Sequence, residues 1–145
     1  MLALELDQSA VKAFMGQLLR DEIFDSFDVR NIDIATNAHF SIDCKNEAGY
    51  LTWGYMRPII FEIIKTSPKP KYVKIVFSYK GDEACEIHAN AAALFLNLAY
   101  ENDAVHFTTG TAQREFAIEK TLTQTWDEWV QGFFTKTGLN VRERE

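Results

Sequence analysis

The chain has 145 residues, 47% of them hydrophobic and 25% charged, with seven glycines and three prolines; that balance suits one ordinary hydrophobic core and excludes a disordered or low-complexity protein. A formal charge of −6 and a pI near 5.1 weigh against non-specific binding to nucleic acid or anionic membrane. The longest apolar runs, such as Ala91 to Leu96, fall far short of the roughly 20 residues of a membrane span, so no membrane partner is expected.

Leu2, Leu4 and Leu6 alternate with Ala3 and Glu5, the period of a half-buried strand. The start carries no basic region followed by a long apolar one, so it reads as mature protein, with the cytoplasm as the expected compartment. Val11, Phe14, Met15, Leu18 and Leu19 then fall at helical spacing, with Asp7 or Ser9 available as a cap. Alternation returns from Phe27 to Cys44, and Thr36-Asn37-Ala38 predicts a turn between two strands.

A second helix is expected within Tyr50 to Lys65, ending at the proline-containing linker 66–70. Further strands are predicted at Tyr72 to Tyr79, Leu94 to Glu101, Ala104 to Thr109 and Gln113 to Ile118. Turns at Asn102-Asp103 and at Gly110 would join the last three as a meander. The segment from Gly81 to Ala92 is the least legible and fits a loop, a short helix or a continuation of the following strand. Leu122, Trp126, Trp129, Val130, Phe133 and Phe134 mark a last helix, with capping-box patterns at Thr121…Gln124 and Thr125…Glu128 and a stop at Gly138. Residues 1–138 are therefore expected to form a single α+β domain, an antiparallel sheet of about six or seven strands with three helices packed mainly on one face, followed by a frayed tail at 139–145.

Chemistry is sparse. No phosphate-binding glycine loop, nucleophile elbow, HExxH pair or CxxC occurs, so the reading leans away from an enzyme, names no catalytic residue and expects no cofactor. Cys44 and Cys85 stand in different elements without paired spacing, as reduced structural thiols do. Cys85-Glu-Ile-His88, even with His39 and His106, does not make up the four placed ligands of a structural zinc site, so no metal is expected. His39 and His106 read as surface histidines on a sheet, and Thr108-Thr-Gly-Thr111 as a hairpin rather than an anion loop. Lys65, Lys69, Lys71 and Lys74 around Tyr72 have the composition of a small single-strand nucleic-acid patch, but equally that of a solvated sheet edge, which the acidic background favours.

The stretch Tyr50-Leu-Thr-Trp-Gly-Tyr-Met-Arg-Pro-Ile-Ile-Phe-Glu-Ile-Ile-Lys65 contains the candidate ligand-binding residues Trp53, Arg57 and Glu62. In an unbroken helix Arg57 would sit within an apolar arc, with Glu62 about 140° away around the axis, so its partner would have to come from another element. The favoured reading starts the helix near Pro58, since a residue preceding proline disfavours the helical region. Trp53 to Arg57 then form an approach, and Arg57 is structural rather than ligand-binding.

Trp53-Gly54…Arg57-Pro58…Phe61-Glu62…Ile64-Lys65, followed by Tyr100-Glu-Asn102, Thr108-Thr-Gly-Thr111 and Trp126-Asp127, resembles an uncharacterised family of small proteins from anaerobic Gram-positive bacteria, a domain of unknown function. The resemblance runs from Met1 to the last helix and departs between Gly81 and Ala92, where the family carries a longer insert. It implies a bacterial cytosolic protein and transfers no catalytic residue.

Three functions are weighed. The leading one is a non-enzymatic binding or protein-interaction module, motivated by a well-patterned fold without a catalytic constellation. The alternative is a small-ligand-binding protein or enzyme with a cleft near Trp53, Arg57 and Glu62. The weakest is a nucleic-acid-associated, clamp-like domain, suggested by the strand, helix and strands at the start. Its cationic face is missing, since Lys12, Arg20 and Lys65 are accompanied by Glu62, Asp127 and Glu128. The partner is thus a protein or a small molecule, and the oligomeric state is open.

Overall fold

The computed structural model describes residues 1–66, 69–80 and 83–144. Strand β1 (Ala3–Leu6) leads through a single 3₁₀ turn, capped by the Asp7 side chain on the Ser9 N–H, into helix α1 (Val11–Arg20). Strands β2 (Asp28–Ala35) and β3 (His39–Asp43) follow, then the small hairpin β4 (Lys45–Asn46) and β5 (Gly49–Tyr50), helix α2 (Trp53–Lys65) and strand β6 (Tyr72–Ser78). Helix α3 (Ala84–Ile87), strands β7 (Ala91–Glu101) and β8 (Ala104–Gln113), helix α4 (Thr121–Thr137) and strand β9 (Val141–Glu143) complete the chain.

Seven strands form one antiparallel sheet in the order β3-β2-β6-β7-β8-β1-β9. Its core face is set by alternation: Ile32 and Ile34, Val73, Ile75 and Phe77, Leu94, Leu96 and Leu98, and Val105 and Phe107 are all buried. Helices α1, α2 and α4 cover that face with stripes of period 3.6, namely Val11, Phe14 and Leu18, then Trp53, Met56 and Ile60, then Leu122, Trp126, Val130 and Phe134. Edge-to-face ring pairs link the layers, Phe14 and Trp53 meeting Phe107 and Phe77 at 5.7 and 5.6 Å between centroids. The α+β architecture expected from the sequence is the one observed.

Four local expectations are corrected. Helix α2 is continuous from Trp53, because Thr52 caps it by accepting a hydrogen bond from the Tyr55 N–H and Trp53 is fully buried. Pro58, in its second turn, is tolerated within the helix at the loss of the bond an N–H there would make to the Gly54 carbonyl. Ile60 is buried, whereas its neighbour Ile59 is exposed.

Gly110 is not a turn. It lies within β8 opposite Phe95, so residues 108–111 belong to a continuous strand and no strand follows at 113–118. A Cβ at 110 would meet Phe95 atoms at 3.7 Å, an ordinary contact. Gly110→Ala is therefore expected to raise stability by about 0.5 kcal/mol, through lower entropy of the unfolded chain, measured by urea melting. A hairpin turn there would give a loss.

Helix α4 has no capping box: Lys120 is its N-cap without a side-chain bond, and the Thr121 hydroxyl turns to Glu119. Gly138 does end it, at φ 77°. The tail is not frayed, since β9 pairs with β1, Leu4 opposite Glu143 and Leu6 opposite Val141. Of the expected linker and of the segment 81–92, residues 67, 68, 81 and 82 lie outside the described residues; the rest of 83–92 is α3, a turn and the start of β7.

Candidate ligand-binding site

Trp53, Arg57 and Glu62 do not share a cleft. Helix α1 ends at Asp21 without a glycine, leaving last-turn carbonyls in need of donors. The buried Trp53 indole N–H donates to the Leu18 carbonyl at 3.2 Å, and Arg57 Nη1 donates to the Arg20 carbonyl at 3.2 Å. The rest of the Arg57 fork is bidentate on Asp25, Nε to Oδ1 and Nη2 to Oδ2, each at 2.9 Å. These hydrogen bonds hold the guanidinium pKa above its ordinary value. Gly54 lets the Asp25 loop approach, for a Cβ there would lie 3.3 Å from Asp25 Cβ. Trp53, Gly54 and Arg57 thus fasten α1 and the loop at 21–27 to α2, while Glu62 is exposed and pairs with Lys65 at 2.8 Å.

The histidines read from the sheet pattern are paired across strands, His39 with Asp33 at 3.3 Å and His106 with Glu5 at 3.8 Å. Cys44 is buried, with its thiol pushed up to about 11 by burial and by Asp43; no disulfide joins it to the exposed Cys85. Among the described residues no three His, Cys, Asp or Glu side chains gather as a metal site.

A cavity of about 480 Å³ opens instead between α1, the end of α2 and the β7–β8 turn, within the size range of small-ligand sites. Its wall is apolar: Val11, Met15 and Leu19, each one helical turn from the next on α1, with Ile64, Pro70 and the ring of Tyr100. Its rim is polar, with Gln8, Lys12, Lys69 and Asp103, and a shallower depression that shares Lys69, Tyr100 and Asp103 extends it to Lys71.

The rim has fixed geometry. Asn102 and Asp103 have φ of 55° and 60°, the paired positive values of a two-residue type I′ hairpin loop. That turn points the Asp103 carboxylate at Lys69, with which it pairs, and at the Tyr100 hydroxyl, which donates to it at 3.5 Å.

Charge states at the rim are equally fixed. The hydrogen bond from Lys69 holds the Asp103 carboxyl below its usual value, and the same bond holds the Lys69 ammonium above its own. Burial raises the Tyr100 phenol. A depressed carboxyl gives up its contribution only as pH falls through its lowered value, and a raised ammonium only as pH rises through its raised one, so the pair is intact across the neutral range. Lys12 makes no ion pair among the described residues.

The sequence reading missed this cavity. Its signal was the surplus width of the α1 stripe, where Met15 and Leu19 add a second apolar row beside Phe14 and Leu18. The polar face of the sheet carries one other arrangement: a bulge at Arg30 turns its guanidinium over Tyr50 and Phe95, 4.0 and 5.1 Å from the ring centroids, with Nε on the Ser78 hydroxyl. This stack uses the guanidinium faces to seat the β4–β5 hairpin against the sheet.

No curated protein and no solved structure matches the chain. A family model does match, over residues 17–142, a span that holds the Trp53–Arg57–Asp25 fastening, Lys69, Tyr100 and Asp103. The chain belongs to that family, a family of unknown function, DUF5721.

Proposed function

We propose that the protein is a non-enzymatic binding module whose cavity takes an apolar group carrying an anionic end. One observation carries the reading: an apolar-walled cavity of about 480 Å³ under a rim where Lys12 makes no ion pair among the described residues and Lys69 is held as an ammonium. The wall supplies burial at roughly 25 cal/mol per Å², and the rim selects the sign of the charge. We place the module in the cytoplasm of an anaerobic Gram-positive bacterium; the support is the reduced, buried Cys44 and the family resemblance.

The test is a fluorescence titration with 8-anilinonaphthalene-1-sulfonate, an apolar ring system bearing one anion. Saturation at one equivalent is expected, with little change in affinity across the neutral range, where the Lys69–Asp103 pair stays charged. Met15→Glu places a carboxylate on the apolar wall and should weaken binding at least about tenfold. Lys12→Glu should weaken it several-fold, and Glu62→Gln should change nothing. Equal binding by all three variants would overturn the reading.

A further inference from the structure

The segment between β8 and α4 carries two large apolar side chains almost wholly in solvent, Phe116 at 88% and Ile118 at 87% exposure. It is nonetheless tied down at both ends of its first half. The Gln113 side-chain amide donates to the Ala117 carbonyl and accepts from the Ala117 N–H, both at 3.1 Å. Asn90 does the same for Glu115, at 2.9 and 3.0 Å. Two side-chain amides thus act as strand partners for a loop that has none. A loop fixed in this way presents its apolar pair with little ordering entropy left to lose on binding.

We propose that Phe116 and Ile118 of one copy of this chain dock into the Met15 cavity of a second copy. The proposal rests on the reading of that cavity as a site for an apolar group with an anionic end. Glu115 and Glu119 flank the apolar pair, which is the charge pattern that the Lys12 and Lys69 rim selects. Along the chain the carboxylates adjoin the apolar pair and the cations follow one position further out, Arg114 held by its Nε to the Ala91 carbonyl at 3.0 Å and Lys120 as the N-cap of α4.

The occupant cannot be the same molecule's loop. The cavity borders the β7–β8 turn at Asp103, the loop leaves the opposite end of β8, and the 10 residues of that strand span roughly 30 Å. The contact joins two different patches, so two copies either exchange it reciprocally about a two-fold axis or extend it head to tail.

Light scattering on size-exclusion fractions over a concentration series tests this. The 16.6 kDa chain should show a mass that rises with concentration to that of a dimer or beyond, and excess 8-anilinonaphthalene-1-sulfonate should return it to monomer. Phe116→Glu/Ile118→Glu, which spoils the loop, and Met15→Glu, which spoils the cavity, should each be monomeric. Mixed in equal amounts they should form a complex that stops at two chains, since each retains one good patch; that outcome also shows that both variants are folded.

A wild-type chain that stays monomeric, assembly that survives Phe116→Glu/Ile118→Glu, or a mixture that stays monomeric would each overturn the proposal. If the chain is monomeric while the dye still binds at one equivalent and is lost on Met15→Glu, self-association fails and the cavity reading stands. If the dye does not bind either, both fail. Binding of the monomer to lipid vesicles through Phe116 would likewise overturn it in favour of a membrane surface.

Discussion

Trp53→Ala is expected to destabilise the fold by about 4 kcal/mol, the upper range for removing a buried aromatic. Two losses add. The indole is fully buried beside Phe77, so truncation opens a cavity in the centre of the helical layer. Its N–H also serves the Leu18 carbonyl, and an acceptor left without a donor in the interior costs about 1–3 kcal/mol. Trp53→Phe separates the two terms: it fills most of the cavity, omits the donor and should cost about 2 kcal/mol. Tyr55, two residues along and exposed, provides the control, with Tyr55→Ala within about 0.5 kcal/mol of wild type. Urea melts at constant m-value read all three. A Trp53→Ala loss below about 1 kcal/mol would mean that the indole neither fills nor caps anything.

Elements whose residues decide locally were legible in the sequence. The alternation through β2 and β3, the stripe of α4 and the stop at Gly138 each depend on neighbours within a few positions, and each stands where the pattern placed it. The misread elements are those in which a distant partner outweighs a local preference. Gly110 and its threonines suit a turn or a strand, and the ladder from Ala91 to Glu101 decides for strand. Val141 to Glu143 look like a solvated tail until β1 supplies an edge to pair with. Pro58 signals a helix start by the local rule, yet the cap at Thr52 and the burial of Trp53 set the start a turn earlier.

The site was less legible for the same reason. Its wall and rim come from residues 8–19, from Ile64, Lys69 and Pro70, and from 100–103, three stretches that no spacing rule connects. Asn102-Asp103 read correctly as a turn, but the turn matters to the site because Lys69 and Tyr100 meet its carboxylate. Arg57 showed the opposite pattern: the need for a partner from another element was evident from helix geometry, while the identity of that partner, Asp25, required the fold.

That partner makes the second large effect testable. Arg57→Ala and Asp25→Ala should each destabilise by about 2–3 kcal/mol. The pair is only partly exposed, at 18% and 24%, and removing one member leaves the other without its counter-charge. The loss from Arg57→Ala should be the larger, because the Arg20 carbonyl loses its donor too. The double variant should cost little more than Arg57→Ala alone, giving a coupling energy of about 1.5 kcal/mol or more in the cycle, as for residues in direct bidentate contact. Arg57→Lys should recover less than half, since an ammonium cannot span both carboxylate oxygens and reach Arg20 as well. Binding of the dye at the Met15 cavity should persist in every one of these variants below its melting temperature. Loss of binding in folded Arg57→Ala would instead return Arg57 to the ligand site. Additive single losses would show that the two side chains act on the fold independently, which the bidentate geometry at 2.9 Å does not allow.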